Sequence, residues 1–402
     1  MLRLLGGGMA GIGCGVVTGL LPGLHPNSVI FLLLPIYFRS PIGPRLFVAF
    51  AAGMATVHTF VSFIPSIFVG APEGDTALST LPGHRFLHAG RGREAVELTV
   101  VGGLLATVLA VLALPLLFIT IPPIYSGVAS HMHLLLLGVL VYLTLDAERP
   151  PAAVVVILLA GVLGVFSLNS PLANTQYVLF PLFAGVFGLA IILESLAAGV
   201  GTPRQGRSLP VRLHQAARSS GIGFLAGILA GFLPGIGSSQ SILLLQRAAR
   251  PDTEEFLAAL GGVTTTDLFI SLAALYLIGN PRSGAAVAMQ QVLPSIRLPV
   301  ILQVLGMSLV GVGSGALITL RVTNVVVTGL RRVNYRYLLA GTGVFIAAGS
   351  VVLNGWFGLL VLTTAASLGV LTARLGVRRS TCMAVLIVPT IITYGPFSVS
   401  LF

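Results

Sequence analysis

Residues 19–28 read Gly-Leu-Leu-Pro-Gly-Leu-His-Pro-Asn-Ser, and residues 231–240 read Gly-Phe-Leu-Pro-Gly-Ile-Gly-Ser-Ser-Gln. Each stretch interrupts a long apolar run at Pro-Gly. Proline removes a backbone donor and clashes with the preceding turn, while glycine frees the backbone, so a helix arriving at Pro22-Gly23 or Pro234-Gly235 stops. A new helix then starts. Pro26 suits a first helical turn, and Asn27 and Ser28 in the first copy, like Ser238, Ser239 and Gln240 in the second, are able to cap or donate.

The two stretches belong to a longer repeat. With residue 11 laid on residue 223, Gly11, Gly15, Gly19, Leu21, Pro22, Gly23, Ile30, Leu32 and Leu33 fall on Gly223, Gly227, Gly231, Leu233, Pro234, Gly235, Ile242, Leu244 and Leu245. After a three-residue adjustment Phe47, Gly53, Phe60, Ser62, Gly70 and Pro72 fall on Phe256, Gly262, Phe269, Ser271, Gly279 and Pro281. Proline and glycine are poor chance matches, so a duplication is expected.

Around this repeat the chain has the composition of a bilayer protein. Its 402 residues are 55% hydrophobic and 8% charged, with a mean hydropathy of +1.01. Apolar runs long enough to cross about 30 Å of hydrocarbon as helices recur throughout, with no alternating ten-residue pattern of a barrel. The expected fold is all-α and polytopic, with about ten transmembrane helices plus re-entrant helical hairpins. The net charge of +11 comes from 22 basic residues, all arginine, against 11 acids. These arginines sit in short loops between apolar runs, which is the positive-inside pattern and not a nucleic-acid surface.

The basic segment 201–219, with Arg204, Arg207, Arg212 and Arg218, divides the chain into a first repeat at 1–200 and a second at 220–402 and is expected in the cytoplasm. Residues 4–38 and 220–247 read as re-entrant hairpins, since each piece is too short to span. Five spans fit in each half: 45–69, 96–120, 133–147, 152–169 and 176–198, then 255–279, 298–320, 336–352, 355–373 and 381–400. Only Arg3, Arg39, Arg45, Arg282 and Arg297 are then left outside. An odd count per half inverts the second repeat relative to the first, the architecture of secondary transporters. The polar segments 72–93 and 281–296 correspond and form a candidate second hairpin pair. The run ending at Gly13-Cys14 resembles a cleavable leader, but Gly11 replaces the leucine of a lipobox and residues 11–33 recur later, so these residues are expected in the mature fold.

Two sites for chemistry follow. At the breaks, facing helix N-termini near the midplane present unpaired N–H groups and partial positive charge, which suits a small anion; Gly23 and Gly235 are expected to approach one another there. The substrate-binding set is Gly19, Pro22, Gly23, His25, Pro26, Asn27 and Ser28 with Gly231, Pro234, Gly235, Gly237, Ser238, Ser239 and Gln240. The alternative is that Pro-Gly merely kinks two packed helices. The second cluster is Thr264-Thr265-Thr266-Asp267, at the repeat position of Ala55-Thr56-Val57-His58. An acid at such depth is expensive, so function is its default role. Thr56, His58, Thr264, Thr265, Thr266 and Asp267 form the ion-coupling set, offering oxygen ligands for Na+ or a carboxylate and imidazole for H+; packing alone is the competing explanation.

Other groups carry no assignment. Glu97 and Glu194 lie near the ends of their spans, His131 and His133 lack a third metal ligand, and Asn169, Asn174 and Gln176 mark an external turn. No Gly-x-Ser-x-Gly, Walker-type or His-Glu-x-x-His motif is present, and Glu73-Gly74-Asp75 lacks the second acid of an intramembrane protease, so no enzyme activity and no cofactor beyond a coupling Na+ are expected. Cys14 and Cys382 imply neither a disulfide framework nor a metal site.

The paired Gly-x-x-Pro-Gly breaks, Leu-Phe-Pro-Leu-Phe-Ala-Gly-Val-Phe-Gly at 179–188, Arg332-Val333-Asn334 through Arg336, and Gly-Val-Arg-Arg-Ser-Thr-Cys-Met-Ala-Val-Leu at 376–386 together resemble the large permease subunit of the tripartite tricarboxylate transporters, TctA-type, in an archaeal-like branch. The resemblance covers essentially the whole chain. It implies a secondary active transporter of carboxylates such as citrate, coupled to Na+ or H+, with a mobile part moving against a scaffold like an elevator. Its binding residues carry over to Gly19, Pro22, Gly23, Asn27, Gly231, Pro234, Gly235 and Ser238, whereas His25-Pro26 departs from the family's pattern. The resemblance also implies a small membrane subunit, an extracytoplasmic binding protein and a homodimer as partners, in contact with membrane lipid. The rival functions are an uncoupled channel or lipid-linked exporter using the same broken helices, and a membrane scaffold without transport.

Overall fold

The computed structural model describes residues 2–21, 24–69, 76, 79–172, 178–198, 213–232, 237–238, 241–242, 245, 252–279, 281, 283–329 and 335–394. Among these every regular element is helical. Six helices are long and apolar enough to cross a membrane, within Pro44–Phe68, Gly92–Val128, Pro150–Asn169, Thr253–Leu277, Leu298–Val326 and Leu339–Arg374, and six shorter apolar helices accompany them.

The first half opens with α1 (Leu2–Leu20) and α2 (Pro26–Phe38), on either side of the first Pro-Gly break. Then come α3 (Pro44–Val61), α4 (Phe63–Val69), the short α5 (Thr80–His88) and α6 (Gly92–Ala129). α6 is longer than the 96–120 span because Pro115, Pro122 and Pro123 do not end it; membrane helices tolerate proline where neighbouring groups take up the freed carbonyls, and here the Thr120 and Ser126 hydroxyls donate to the Leu116 and Pro123 oxygens. α7 (Met132–Leu145), α8 (Pro150–Asn169), α9 (Leu179–Phe183) and α10 (Ala190–Ala198) complete the half, the last two joined by a π-helical turn over Ala184–Leu189.

The second half repeats the plan with α11 (Leu213–Phe232), α12 (Thr253–Leu277), the short α13 (Gly284–Val292) and α14 (Leu298–Gly329). Residues 213–219, placed in the linker by sequence, already belong to α11. α15 (Tyr335–Arg374) breaks at Asn354 and Gly355, whose φ is +57°. A methyl group on Gly358 would stand 2.2 Å from the Ser350 carbonyl oxygen, whereas eight residues of continuous helix span about 12 Å. α15 therefore folds back into two arms, at the boundary expected between 336–352 and 355–373. A 3-10 turn at Arg379–Met383 and α16 (Ala384–Tyr394) follow.

Close-packed glycines fix the helix pairs. A methyl on Gly11 would lie 2.0 Å from the Phe50 oxygen, and one on Gly19 2.7 Å from Val61 Cβ, so α1 runs alongside and parallel to α3. One on Gly223 would lie 2.4 Å from the Ala259 oxygen, and one on Gly231 2.8 Å from Ile270 Cβ, which sets α11 parallel to α12. Gly15 and Gly227 likewise face Val57 and Thr266. Every one of these pairs is equivalent in the sequence repeat. A third helix joins each pair in matching register: Gly311 of α14 sits against Thr56 of α3, and Gly103 of α6 against its counterpart Thr265 of α12. Such small-residue contacts let helices approach where lipid gives no hydrophobic drive to associate.

Among the described residues the main apolar core draws on α1–α6 and α11–α14, with Phe31, Met54, Leu260 and Met289, and also takes in Phe180, Ala184 and Ile192 together with Leu339 and Ile346 of α15. A second gathers α7, α8, the π-helical segment, α15 and α16 around Leu136, Val156, Leu182 and Ala365, and a small third joins Leu117 and Ile121 of α6 to Ile270 of α12. At the edge of the second, Arg378 pairs with Asp146 and Arg379 with Glu194. Glu97, the other acid left unassigned by sequence, pairs with Arg93 at 2.7 Å.

Candidate functional site

α2 begins where the chain restarts after its first break. His25 is its N-cap, in extended conformation, and accepts a hydrogen bond at Nδ1 from the Asn27 N–H at 3.2 Å, satisfying a donor that the helix start leaves open. Pro26 occupies the first turn, where its missing N–H does no harm. The Asn27 side chain then reaches across the molecule. Its Oδ1 accepts from the Ala285 N–H of α13 at 2.9 Å, while Ser283 caps the same helix by accepting from Ala286 N–H at 3.2 Å. Asn27 thus ties the first-half restart to a second-half helix start.

His58 lies buried in the last turn of α3, 3% exposed, its ring centroid 5.7 Å from that of His25. Its Nδ1 bonds the Thr18 hydroxyl of α1 at 3.1 Å. In α12 Asp267 holds the position equivalent to His58. One of its oxygens accepts from the Ser238 hydroxyl at 2.8 Å. Ser238 stands just past the second break, where the Ser241 N–H donates to the Gly237 oxygen at 3.1 Å.

These groups enclose a cavity of about 70 Å³, room for several water-sized groups. α2 contributes His25, Pro26 and Asn27; α3 and its end contribute Ala55, His58, Thr59 and Ser62; α12 contributes Thr264, Asp267, Leu268 and Ser271; Thr76 and Ser283 close the remaining walls. The four positions from α3 and the four from α12 are equivalent in the repeat, so the cavity sits between matching faces of the two halves. The Ser271 hydroxyl is 1% exposed and has no hydrogen-bond partner, so it is left for a guest. Among the described residues that line it, none is an arginine.

The site brings together His25, Pro26, Asn27, His58, Thr264 and Asp267, with Ser238 behind Asp267. Other expected residues serve elsewhere. Thr56 donates to the Ala52 oxygen at 2.7 Å and packs against Gly311; Thr265 donates to the Gly261 oxygen at 2.7 Å and packs against Gly103. Thr266 faces Gly227, and its hydroxyl and that of Ser28 are buried without partners. Gly19 and Gly231 are helix-packing contacts on Val61 and Ile270, and Gly237 accepts from Ser241. Pro22, Gly23, Pro234, Gly235, Ser239 and Gln240 lie outside the described residues, as does the expected approach of Gly23 to Gly235. Thr18, Thr59, Ser62, Thr76, Ser271 and Ser283 were not singled out by sequence. A signal existed for two of them, since Ser62 and Ser271 match in the repeat and follow His58 and Asp267 by one turn.

A family model described as the tripartite tricarboxylate transporter TctA family matches residues 5–384. The chain is 30% identical over 399 residues to an uncharacterized protein of Methanocaldococcus jannaschii, covering 96% of this chain and 97% of that one. It is 27% identical over 204 residues to an uncharacterized 52.8 kDa protein of Agrobacterium vitis, covering 46% of this chain and 39% of the relative. No solved structure matches it.

Proposed function

We infer the function from one premise: the chain belongs to the tripartite tricarboxylate transporter TctA family. It is a multi-pass membrane protein and a transporter component. Our proposal goes further: it moves a small organic anion, a di- or tricarboxylate, by secondary active transport in which a cation at Asp267 accompanies the anion.

One observation carries this. Asp267 shares a small cavity with the N-terminus of α2, and at the repeat position facing it the other half carries His58. A helix start with the Asn27 amide beside it favours an anion. The Asp267 carboxylate on the same cavity repels that anion, and a cation held at Asp267 relieves the repulsion. Anion and cation therefore enter together. Asp267, Ser238, Thr264 and Ser271 supply the oxygens for Na+, or Asp267 takes H+.

The two halves are read as inverted repeats, 1–200 and 220–402 on either side of the basic segment 201–219. The matched glycine register and the matched cavity positions support the duplication. The buried residues of α7, α8 and α16 gather in a core of their own, which supports an elevator in which the cavity-bearing core moves against that group, with α15 at the boundary because it contributes to both. The family's name denotes a three-part system, and we assign the chain a small membrane subunit and an extracytoplasmic binding protein as partners, with a homodimer as its own assembly.

Uptake into proteoliposomes tests the proposal. Accumulation of a labelled carboxylate above equilibrium under an inward Na+ or H+ gradient is expected. Gradient-independent equilibration supports an uncoupled channel, and no flux across a panel of di- and tricarboxylates overturns the transport reading.

A further inference from the structure

The corresponding segments 72–93 and 281–296 both reach the cavity wall, the first through Thr76 and the second through Ser283. They are held very differently. α5, in the first segment, is fastened to its own half: the Ser79 hydroxyl bonds that of Ser66 of α4 at 2.7 Å, and a methyl on Gly83 would lie 2.8 Å from Ile67 of α4. Phe86 and Leu87 are buried, and the Arg91 guanidinium lies over the Phe86 ring at 4.6 Å. α13, in the second segment, rests on α2 and α3 of the other half. A methyl on Gly284 would lie 2.6 Å from Asn27 Cβ, and the face that α13 buries is Ala285, Ala286, Ala288, Met289 and Val292. Alanines bury little apolar area, and methionine adapts to a neighbour that shifts.

The hydrogen bonds of α13 divide between its two ends. At the start, the Ala285 N–H donates to Asn27 Oδ1 at 2.9 Å and the Ala286 N–H to the Ser283 hydroxyl at 3.2 Å. Toward the far end, Gln290 Nε2 donates to the Gly279 oxygen just past α12, at 2.9 Å. The Asn27 bond crosses between the halves, whereas the Gln290 bond stays within one. Gln291 Oε1 is buried with no hydrogen-bond partner, so this seating of α13 leaves a polar group unmet.

We propose that α13 is the gate of the cavity and Asn27 its latch: the start of α13 swings off α2 to admit the substrate and is refastened once the anion is in place. This rests on the transport reading above and adds to it the wall that moves. Because the Ala285 N–H can only donate, Asn27 Oδ1 faces α13, and Nδ2 is left to donate to an anion in the cavity that Asn27 lines. One amide then holds the anion by its nitrogen and α13 by its oxygen, and each bond polarises the other. Release at Asn27 leaves α13 tied at Gln290, so the swing is at the cavity end. α5 stays seated as the fixed wall. On the layout that leaves Arg282 and Arg297 outside, α13 gates the outer mouth.

Thiol labelling of the full chain in nanodiscs tests the gate without a substrate. In a variant lacking Cys14 and Cys382, Ala288→Cys reports on α13 and Leu87→Cys on α5, two buried positions. Each rate is divided by that of the same thiol in unfolded protein. The α13 thiol is expected to label about tenfold faster than the α5 thiol, the factor that roughly one tertiary hydrogen bond makes. Asn27→Ala and Ser283→Ala each remove a cap and are expected to speed the α13 thiol about fivefold further, with the α5 thiol unchanged. Equal rates on the two helices, or an α13 rate indifferent to both caps, overturn the gate. If Ala288→Cys does not fold, Val292→Cys on the same buried face takes its place.

Exchange of labelled for unlabelled succinate and citrate in proteoliposomes separates this from the parent reading. Whichever of the two the protein exchanges, added at about ten times its half-saturating concentration, is expected to slow α13 labelling by up to about tenfold. A carboxylate that is exchanged yet leaves α13 labelling unchanged overturns the gate and leaves the transporter standing. Exchange of no carboxylate removes the transporter, while the substrate-free labelling still decides whether α13 opens.

Discussion

His58 and Asp267 occupy equivalent positions on α3 and α12, two helices packed against equivalent partners through the same glycine register. Their hydrogen bonds are not equivalent. His58 leans back on Thr18 of α1, inside its own half and ahead of the first break, whereas Asp267 is held by Ser238, beyond the second break. The backbone framework was kept and the polar groups diverged, so that one wall of a shared cavity carries an imidazole and the other a carboxylate. A duplicated fold gives two identical pockets by default. Binding an anion and a cation side by side requires that the two walls differ.

Packing offers the harshest test of the framework. Gly11→Val and Gly223→Val each place side-chain carbons against a backbone oxygen, at 2.0 and 2.4 Å for the first atom alone. Overpacking of this kind costs about 1–3 kcal/mol or more, and we expect both variants to lose most of their monodisperse folded yield in detergent. A large loss for one and none for the other would break the equivalence of the helix pairs.

Asn27→Ala probes the link between halves. It removes the cap on Ala285 and leaves a buried donor open, an expected loss of about 1 kcal/mol, read as faster amide exchange localised at the start of α13. Unchanged exchange there would show that the link does not hold α13. Ser238→Ala acts on the Asp267 wall alone. Losing one hydrogen bond to a charged group, worth about 1.5 kcal/mol, is expected to weaken activation by the coupling cation roughly tenfold. The smallest effect belongs to the helix ends. Arg91 joins Glu94 at the start of α6 to Glu254 at the start of α12, the second contact at 2.9 Å, and is about a third exposed. Arg91→Ala should lower thermal stability by less than about 1 kcal/mol, and by less still in high salt.

Much of the framework was legible in the chain. Pro22-Gly23 and Pro234-Gly235 announce interrupted helices because proline and glycine together stop a helix, and the acid Asp267 stands out against an apolar span. The threonines around it were less readable. Thr264, Thr265 and Thr266 are adjacent in sequence, but successive residues on a helix point about 100° apart, and only Thr264 meets the cavity. Thr56 and Thr265 bond their own helix carbonyls and meet glycines of α14 and α6, a role that depends on which helix lies alongside. Asn27 was legible as a capping residue, but its partner Ala285 lies 258 positions away. No local pattern encodes that distance. The approach of His25 to His58 likewise exists only once the chain has folded.

The central claim is that cation and anion occupy one cavity through Asp267, and carboxylate uptake by Asp267→Asn proteoliposomes tests it most directly. Asparagine keeps the size of the side chain and an acceptor for Ser238 while removing the charge that calls for a cation. The expected result is an uptake that no longer responds to Na+ and no longer exceeds equilibrium, with folded yield close to wild type. Undiminished gradient-driven accumulation, with unaltered dependence on Na+ and pH, would contradict the account.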